Sequence, residues 1–475
     1  MRRLSLGLAA LLAAACARSS ASNDAAIPLD AAHLSSAHAV RDATLATSRA
    51  FEHVRGLTDE AGPRLAGSPG DAAGVAWAER TMKGLGLADV HTETVTVPRW
   101  ERGLEQAEMV APTRRALFVT ALGGSVATPP EGIEADVVEI DSEEALSRLS
   151  RADVEGKILF VHVPMDRTKD GSGYGKAVQW RGRAAIEGAK RGAVATIIRS
   201  VGTDGDRAPH TGAFGYDDNL PKIPAGALSV PDAEVLHRTL ATGTRARVKL
   251  VLITRFLPDA TSANVIGEVR GATRPDEIVL LGAHLDSWDL GDGAADDGAG
   301  CAIVLEAARQ ISLVAARPAR TVRVVLFANE ENGLRGARAY AAAHAAELDK
   351  HVAAIEADSG DGRTYATRIV AGEGQAAFAG LARLVAPLGA ALDASNAEGG
   401  ADLIPLRAAG VPLVDLRQDE TRYFDVHHTA NDTLARIVKA DLDHTTAAMA
   451  TIAYGLASTS ATFGRTAAHD RDRKR

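Results

Sequence analysis

The second half of this 475-residue chain gathers carboxylates and imidazoles at spacings that suit metal ions. Segment 282–300, GAHLDSWDLGDGAADDGAG, sets His284 two residues before Asp286 and puts Asp296 beside Asp297. Segment 324–336, VVLFANEENGLRG, ends an apolar run on Glu330 and Glu331. AAIEADSG (353–360) offers Glu356 and Asp358, and RYFDVHHTANDT (422–433) offers His427 and His428. Zinc takes imidazole nitrogen and carboxylate oxygen, and a catalytic site keeps one position open for water. Two ions in one site need two histidines, terminal carboxylates, one carboxylate that bridges and a base that is not a ligand. The chain holds that inventory.

Each motif alone has a plainer reading. His-x-Asp suits a surface loop. Yet along an extended chain His284 and Asp286 point the same way, and a ligating histidine donates its second ring N–H to a carboxylate or carbonyl. His284 is therefore read as a ligand, and Asp286 as its partner or as a group positioning the base. Asp296 and Asp297 open a helical run, where an Asp serves as N-cap. With two ions nearby, Asp296 is read as the bridge and Asp297 as cap or support. Adjacent Glu330 and Glu331 repel unless something binds them. Glu331 is read as a ligand and Glu330 as general base, against the alternative of acidic groups at a helix N-terminus. Glu356 and Asp358 share strand parity, so position does not choose between them, nor between His427 and His428. Cys301, in the apolar run 299–308, reads as a small core residue.

These groups need a frame. From Thr261 onward, apolar runs at 265–269, 278–282, 321–328 and 352–357 alternate with helical patterns at 298–312, 333–348 and 374–386. Such runs suit strands buried on both faces, which predicts an α/β fold with a mostly parallel central sheet flanked by helices. Ligands bind such sheets beyond the carboxyl ends of the strands, where His284, Asp286, Glu330, Glu331 and Asp358 all fall. Residues 108–258 differ. They carry short β-rich runs at 135–140, 156–162, 193–198 and 248–254, one helix at 182–191 and no metal cluster. They read as an inserted β-rich domain between 41–107 and 259–462, with one continuous large sheet as the alternative. Residues 17–40 read as a tether and 463–475 as a flexible tail.

Arg2, Arg3 and the apolar stretch 4–15 form an export signal. Cys16 closes LLAAAC, which looks like a lipobox with Ala13 in place of the usual Leu, so 1–16 is read as signal peptide and acylation site. The alternative is secretory cleavage after an Ala; both export the protein. No other run is long enough to span a bilayer. Cys16 and Cys301 are the two cysteines, so no intrachain disulfide remains once Cys16 is lipidated or removed. Hydrophobic content of 46% and charged content of 24% fit a soluble globular protein. The net charge of −8 argues against a nucleic-acid or anionic-membrane partner.

Taken together with GPRLAGSPG (62–70), these segments resemble the co-catalytic zinc exopeptidases of clan MH (leucyl aminopeptidase and glutamate carboxypeptidase type), and most closely the carboxypeptidase Q subgroup. Several motifs in the right order carry the resemblance. It implies a zinc exopeptidase fold with an inserted protease-associated domain, and two Zn2+ per chain. One ion would be held by His284, Asp296 and Asp358, the other by Asp296, Glu331 and His428. It also implies a cis peptide between Asp296 and Asp297. Segment 397–406 would be a substrate-side loop with Asp402 as its contact. Catalysis would use Glu330 as base, Asp286 in support and Tyr423 as oxyanion donor. The implied activity is hydrolysis of dipeptides or short peptides as a dipeptidase or carboxypeptidase, with aminopeptidase action as the alternative. A one-zinc glutaminyl cyclisation and a non-catalytic binding protein are more remote. The resemblance also implies a homodimer.

Overall fold

The structure is a computed structural model describing residues 26–471, so the expected signal segment 1–16 lies outside the described residues. Its frame is two long strands, Ala88–Ala111 and Arg247–Val269, paired antiparallel along most of their length. The far half of Arg247–Val269 pairs antiparallel with Arg320–Phe327. Beyond it, Arg320–Phe327, Arg274–His284, His351–Glu356 and Leu413–Gln418 run parallel in that order. Thr364–Val370 pairs antiparallel with the last of these.

Successive side chains on a strand face opposite sides, and the apolar strands use both. Val279, Leu281 and Ala283 pack into one core with helices Ala299–Ser312 and Lys439–Ser458. Ile278 and Leu280 pack into another with Phe327 and Tyr340, the latter on helix Arg335–Ala343. This two-sided burial makes the runs apolar throughout, and it leaves the strand ends as the place for polar groups.

The inserted region is itself layered. Ile133–Ile140, Ile158–Val161, Ala195–Arg199 and Ala225–Leu228 are parallel, and Ile133–Ile140 pairs antiparallel with the near half of Arg247–Val269. One hydrogen-bonded path therefore joins both halves, while the inserted half keeps cores of its own. It holds more helix than expected. Ser172–Lys190 starts well before residue 182. Val230–Ala241 was not expected, although Ser229 caps it by accepting from the Asp232 N–H and Pro231 lies in its first turn.

Two expected termini are corrected. Residues 31–40, taken as tether, begin helix Ala31–Thr47, capped by Asp30. Its small residues Ser36, Ala37 and Thr44 are buried with Val40, so a Ser/Ala-rich stretch here is a close-packing helix face. A second helix, Ala50–Ala61, follows it. At the other end Phe463 and Thr466 are buried, so the tail does not start at 463. No helix among the described residues is long and apolar enough to cross a membrane.

Ala111 lies opposite Arg247, so a tight turn has the geometry to replace residues 112–246. That excision would bare Trp100, Met109, Leu250 and Leu252, which belong to a core of the inserted half. The excised chain is expected to yield no soluble folded protein, measured by soluble yield and far-UV circular dichroism; a soluble native-like product would contradict shared packing.

Candidate metal centre

His284 is the last residue of its strand and is 1% exposed. Its Nδ1–H donates to the backbone oxygen of Asp286 at 3.0 Å, which leaves Nε2 with its lone pair toward the centre. That Nε2 lies 3.2 Å from Asp296 Oδ1 and 3.6 Å from Asp358 Oδ1. His428 mirrors it. Its Nδ1 faces the Thr211 carbonyl at 3.3 Å, and its Nε2 lies 3.3 Å from Asp296 Oδ2 and 3.0 Å from Glu331 Oε2. The two oxygens of Asp296 thus face two different histidines. Glu331 and Asp358 arrive from just beyond Arg320–Phe327 and His351–Glu356.

The donor set fits zinc. Two imidazoles and three carboxylates converge where water is largely excluded, and such carboxylates repel unless a cation lies among them. Glu331 Oε1 is buried without a hydrogen bond. Burial, then the Asp296 charge, raises Glu331 to about 7. Burial works against the Asp296 carboxylate, but hydrogen bonds from His284 and His428 hold its pKa well below the ordinary range. Burial, then the charges of Asp358 and Glu331, pushes Glu330 well above the ordinary carboxylate range.

The neighbours bear on the open choices. The Asp296–Asp297 peptide is cis, as the resemblance implied. Asp297 accepts from the N–H of His284 at 3.1 Å and of Gly300 at 2.9 Å, so it is both cap and support. The Asp286 carboxylate does not hydrogen-bond His284: Oδ1 is 3.9 Å from Nδ1 and instead accepts the Glu330 N–H at 2.9 Å. Asp286 is therefore a positioning group for the Glu330 segment. Glu356 turns away and accepts from the N–H groups of Asp402 and Leu403. Asp402 is fully buried, and neither carboxylate oxygen makes a hydrogen bond. His427 stacks on His428 at 3.6 Å, and its Nε2 is 3.6 Å from Asp296 Oδ2, so it stays within reach of the centre. Tyr423 is half-buried. Burial, then the charges of Asp296 and Asp358, raises its hydroxyl well above the usual range. Gly360, at φ +69°, lets that ring lie close, since a Cβ there would meet it at 2.8 Å.

Several supporting groups were not expected. Arg64, in the 62–70 motif, is fully buried. Its guanidinium donates to the carbonyls of Leu285 (2.8 Å), Asp292 (2.6 Å), Gly293 (2.9 Å) and Gly62 (3.0 Å). Asp432, in the 422–433 motif, accepts from Ala295 N–H at 2.6 Å and Asp296 N–H at 3.1 Å. From the inserted half, His210 donates to the His427 carbonyl at 2.7 Å and pairs with Asp204 at 2.5 Å. The motifs were visible; these partners depend on tertiary proximity. The inserted half also holds a cluster where none was expected: Glu139, His162 and His237, whose ligand atoms lie within 4.8 Å of one another.

Known proteins are similar to this chain in sequence and fold. The model of Peptidase family M28 matches residues 264–453. Carboxypeptidase Q of Mus musculus is 36% identical over 411 residues, covering 86% of this chain and 86% of that one. The crystal structure of a peptidase M28 precursor from Shewanella amazonensis superposes with a TM-score of 0.89 at 42% identity, covering 92% of this chain and 99% of that one. BSAP, a zinc aminopeptidase from Bacillus subtilis, shares the fold with a TM-score of 0.61 at 22% identity, covering 88% of this chain and 97% of that one.

Arg64→Met removes the guanidinium donor from three carbonyls of the 285–293 loop and from that of Gly62. It is expected to lower stability by about 3 kcal/mol and to weaken zinc retention, read by thermal melting and by titration with a competing chelator. An unchanged melt and unchanged retention would remove Arg64 from this role.

Proposed function

We propose, on the premise that this chain belongs to peptidase family M28, that it is an exported exopeptidase hydrolysing dipeptides or short peptides with two zinc ions per chain. That it is a zinc metallopeptidase of the exopeptidase kind follows from the family. The residue roles, the number of ions and the substrate are our own reading.

The observation that carries this reading is Asp296, with one oxygen toward each histidine. In it, His284, Asp296 and Asp358 would hold one ion, and Asp296, Glu331 and His428 would hold the other. Bound zinc supplies a Lewis acid that polarises the scissile carbonyl and lowers the pKa of a water molecule. Glu330 takes the proton from the attacking water and passes it to the leaving amine. Burial raises its pKa above the ordinary carboxylate range, which makes it a stronger base than a solvent-exposed carboxylate. Asp286 fixes the Glu330 backbone through its 2.9 Å hydrogen bond. Tyr423 stays protonated at neutral pH and donates to the oxyanion. Asp402 lines the substrate-side loop.

Similarity to carboxypeptidase Q across most of the chain favours dipeptidase or carboxypeptidase action, whereas the aminopeptidase BSAP supports the fold alone. Arg2, Arg3 and the apolar stretch 4–15 support export, and LLAAAC supports a lipid anchor on Cys16. The segmented texture of 108–258 supports a protease-associated domain. Homodimerisation rests on the resemblance alone.

The test is a panel of free dipeptides, amino-blocked dipeptides and aminoacyl amides. Cleavage confined to substrates with a free carboxylate is expected. Cleavage of the amides would make the chain an aminopeptidase, and no cleavage by zinc-loaded protein would end the peptidase reading. Glu330→Gln is expected to keep its zinc and lose more than about 100-fold in turnover; unchanged turnover would exclude it as base. Chelation should abolish hydrolysis and added Zn2+ restore it, measured on the same dipeptide. Activity that survives complete zinc removal would contradict the assigned role of the metal.

A further inference from the structure

We propose that Glu139, His162 and His237 form a second, separate metal site in the inserted region, for a divalent transition-metal ion of zinc-like preference. Topology alone brings the three together. Glu139 lies opposite Phe160 in the parallel pair Ile133–Ile140 and Ile158–Val161. His162, two residues beyond Phe160, shares that face. His237 reaches the same place from helix Val230–Ala241. The ligand atoms of the three lie within 4.8 Å of one another.

Each imidazole is held by a carboxylate. His237 Nδ1 lies 2.8 Å from Glu139 Oε1, and His162 Nε2 lies 3.0 Å from Glu234 Oε1. The other ring nitrogens, His237 Nε2 and His162 Nδ1, show no hydrogen bond among the described residues. His162, oriented by Glu234 with its second nitrogen open, has the arrangement that prepares a metal ligand; at His237 the ion would take the place of the proton shared by Nδ1 and Glu139.

Charge points the same way. Arg199 Nε lies 3.0 Å from Glu234 Oε1 and neutralises that carboxylate. Glu139, 17% exposed, has no Lys or Arg partner among the described residues. A cation at Glu139 supplies the missing charge. The two rings stack at 4.0 Å with planes 5° apart. Zinc–ligand distances of ~2.0–2.2 Å require these planes to open. His237, whose side chain is 34% exposed, has solvent beside it for that movement. Imidazole and carboxylate donors suit zinc and its neighbours in the transition series better than calcium or magnesium.

The site is remote in sequence from the proposed catalytic ligands, so its test is independent of peptide hydrolysis. The full mature chain is loaded with excess Zn2+, desalted and assayed for zinc per chain, beside His237→Ala and Glu139→Gln. Wild type is expected to retain about one zinc more per chain than either variant, while both loaded variants cleave dipeptide at the wild-type rate. Glu139→Gln keeps side-chain size, so it reads the site even where His237→Ala folds poorly. Equal zinc content in wild type and Glu139→Gln would overturn the site and leave a hydrogen-bonded histidine stack. A protein with no peptidase activity would still give the zinc difference, so the two readings fail separately.

Discussion

Buried like charge is the constraint on which this structure depends. Asp296, Asp297, Glu331 and Asp286 lie almost wholly out of water within one crevice, with Glu330 and Asp358 beside them. Carboxylates in such company repel and lose hydration, and only cations or well-placed donors stabilise them. The chain answers with both. Histidines face each oxygen of Asp296, and backbone N–H groups are aimed at Asp286, Asp297 and Asp432. Arg64 adds the complementary device, a buried guanidinium that gathers four carbonyls around the loop bearing His284 and Asp296. Much of the support therefore acts on the backbone, and a parallel sheet suits it because several strand ends open on one side.

The inserted half takes part in that support. It shares the strands Ala88–Ala111 and Arg247–Val269 with the rest of the fold. Its Thr211 carbonyl and N–H bracket His428, and His210 holds the His427 carbonyl. Arg102, at 3.0 Å from Asp289, ties the shared hairpin to the loop after His284. His428 itself sits at φ +63°, a left-handed backbone rarely adopted outside glycine, so its conformation needs neighbours on both sides. A shift of the inserted half would reach the centre through these bonds.

Much of the centre was legible because apolar runs ended on acidic or imidazole groups, and those runs proved to be strands of the central sheet. His284 and Glu331 could be read that way, and Asp296 from its place at the start of a helical run. The Glu356–Asp358 choice could not, since both residues share strand parity; the decision lies in the 399–403 loop, whose N–H groups engage Glu356. His427 and His428 stack, so adjacency blurs them in the fold as it does in the sequence. The partners of Arg64 and Asp432 are tertiary and left no local trace. Residues 31–40 misled because a small-residue helix face has the composition of a linker. The Glu139, His162 and His237 group is spread over a strand, the residue just past a second strand and a helix, with no shared spacing to betray it.

The most direct test of the central claim is the zinc content of Asp296→Asn beside that of Glu331→Gln. Asp296 is assigned to both ions and Glu331 to one. Asp296→Asn should therefore lose both ions of the centre, and Glu331→Gln only one. An Asp296→Asn protein that keeps one of the two would contradict the bridge and, with it, the two-ion account of this site.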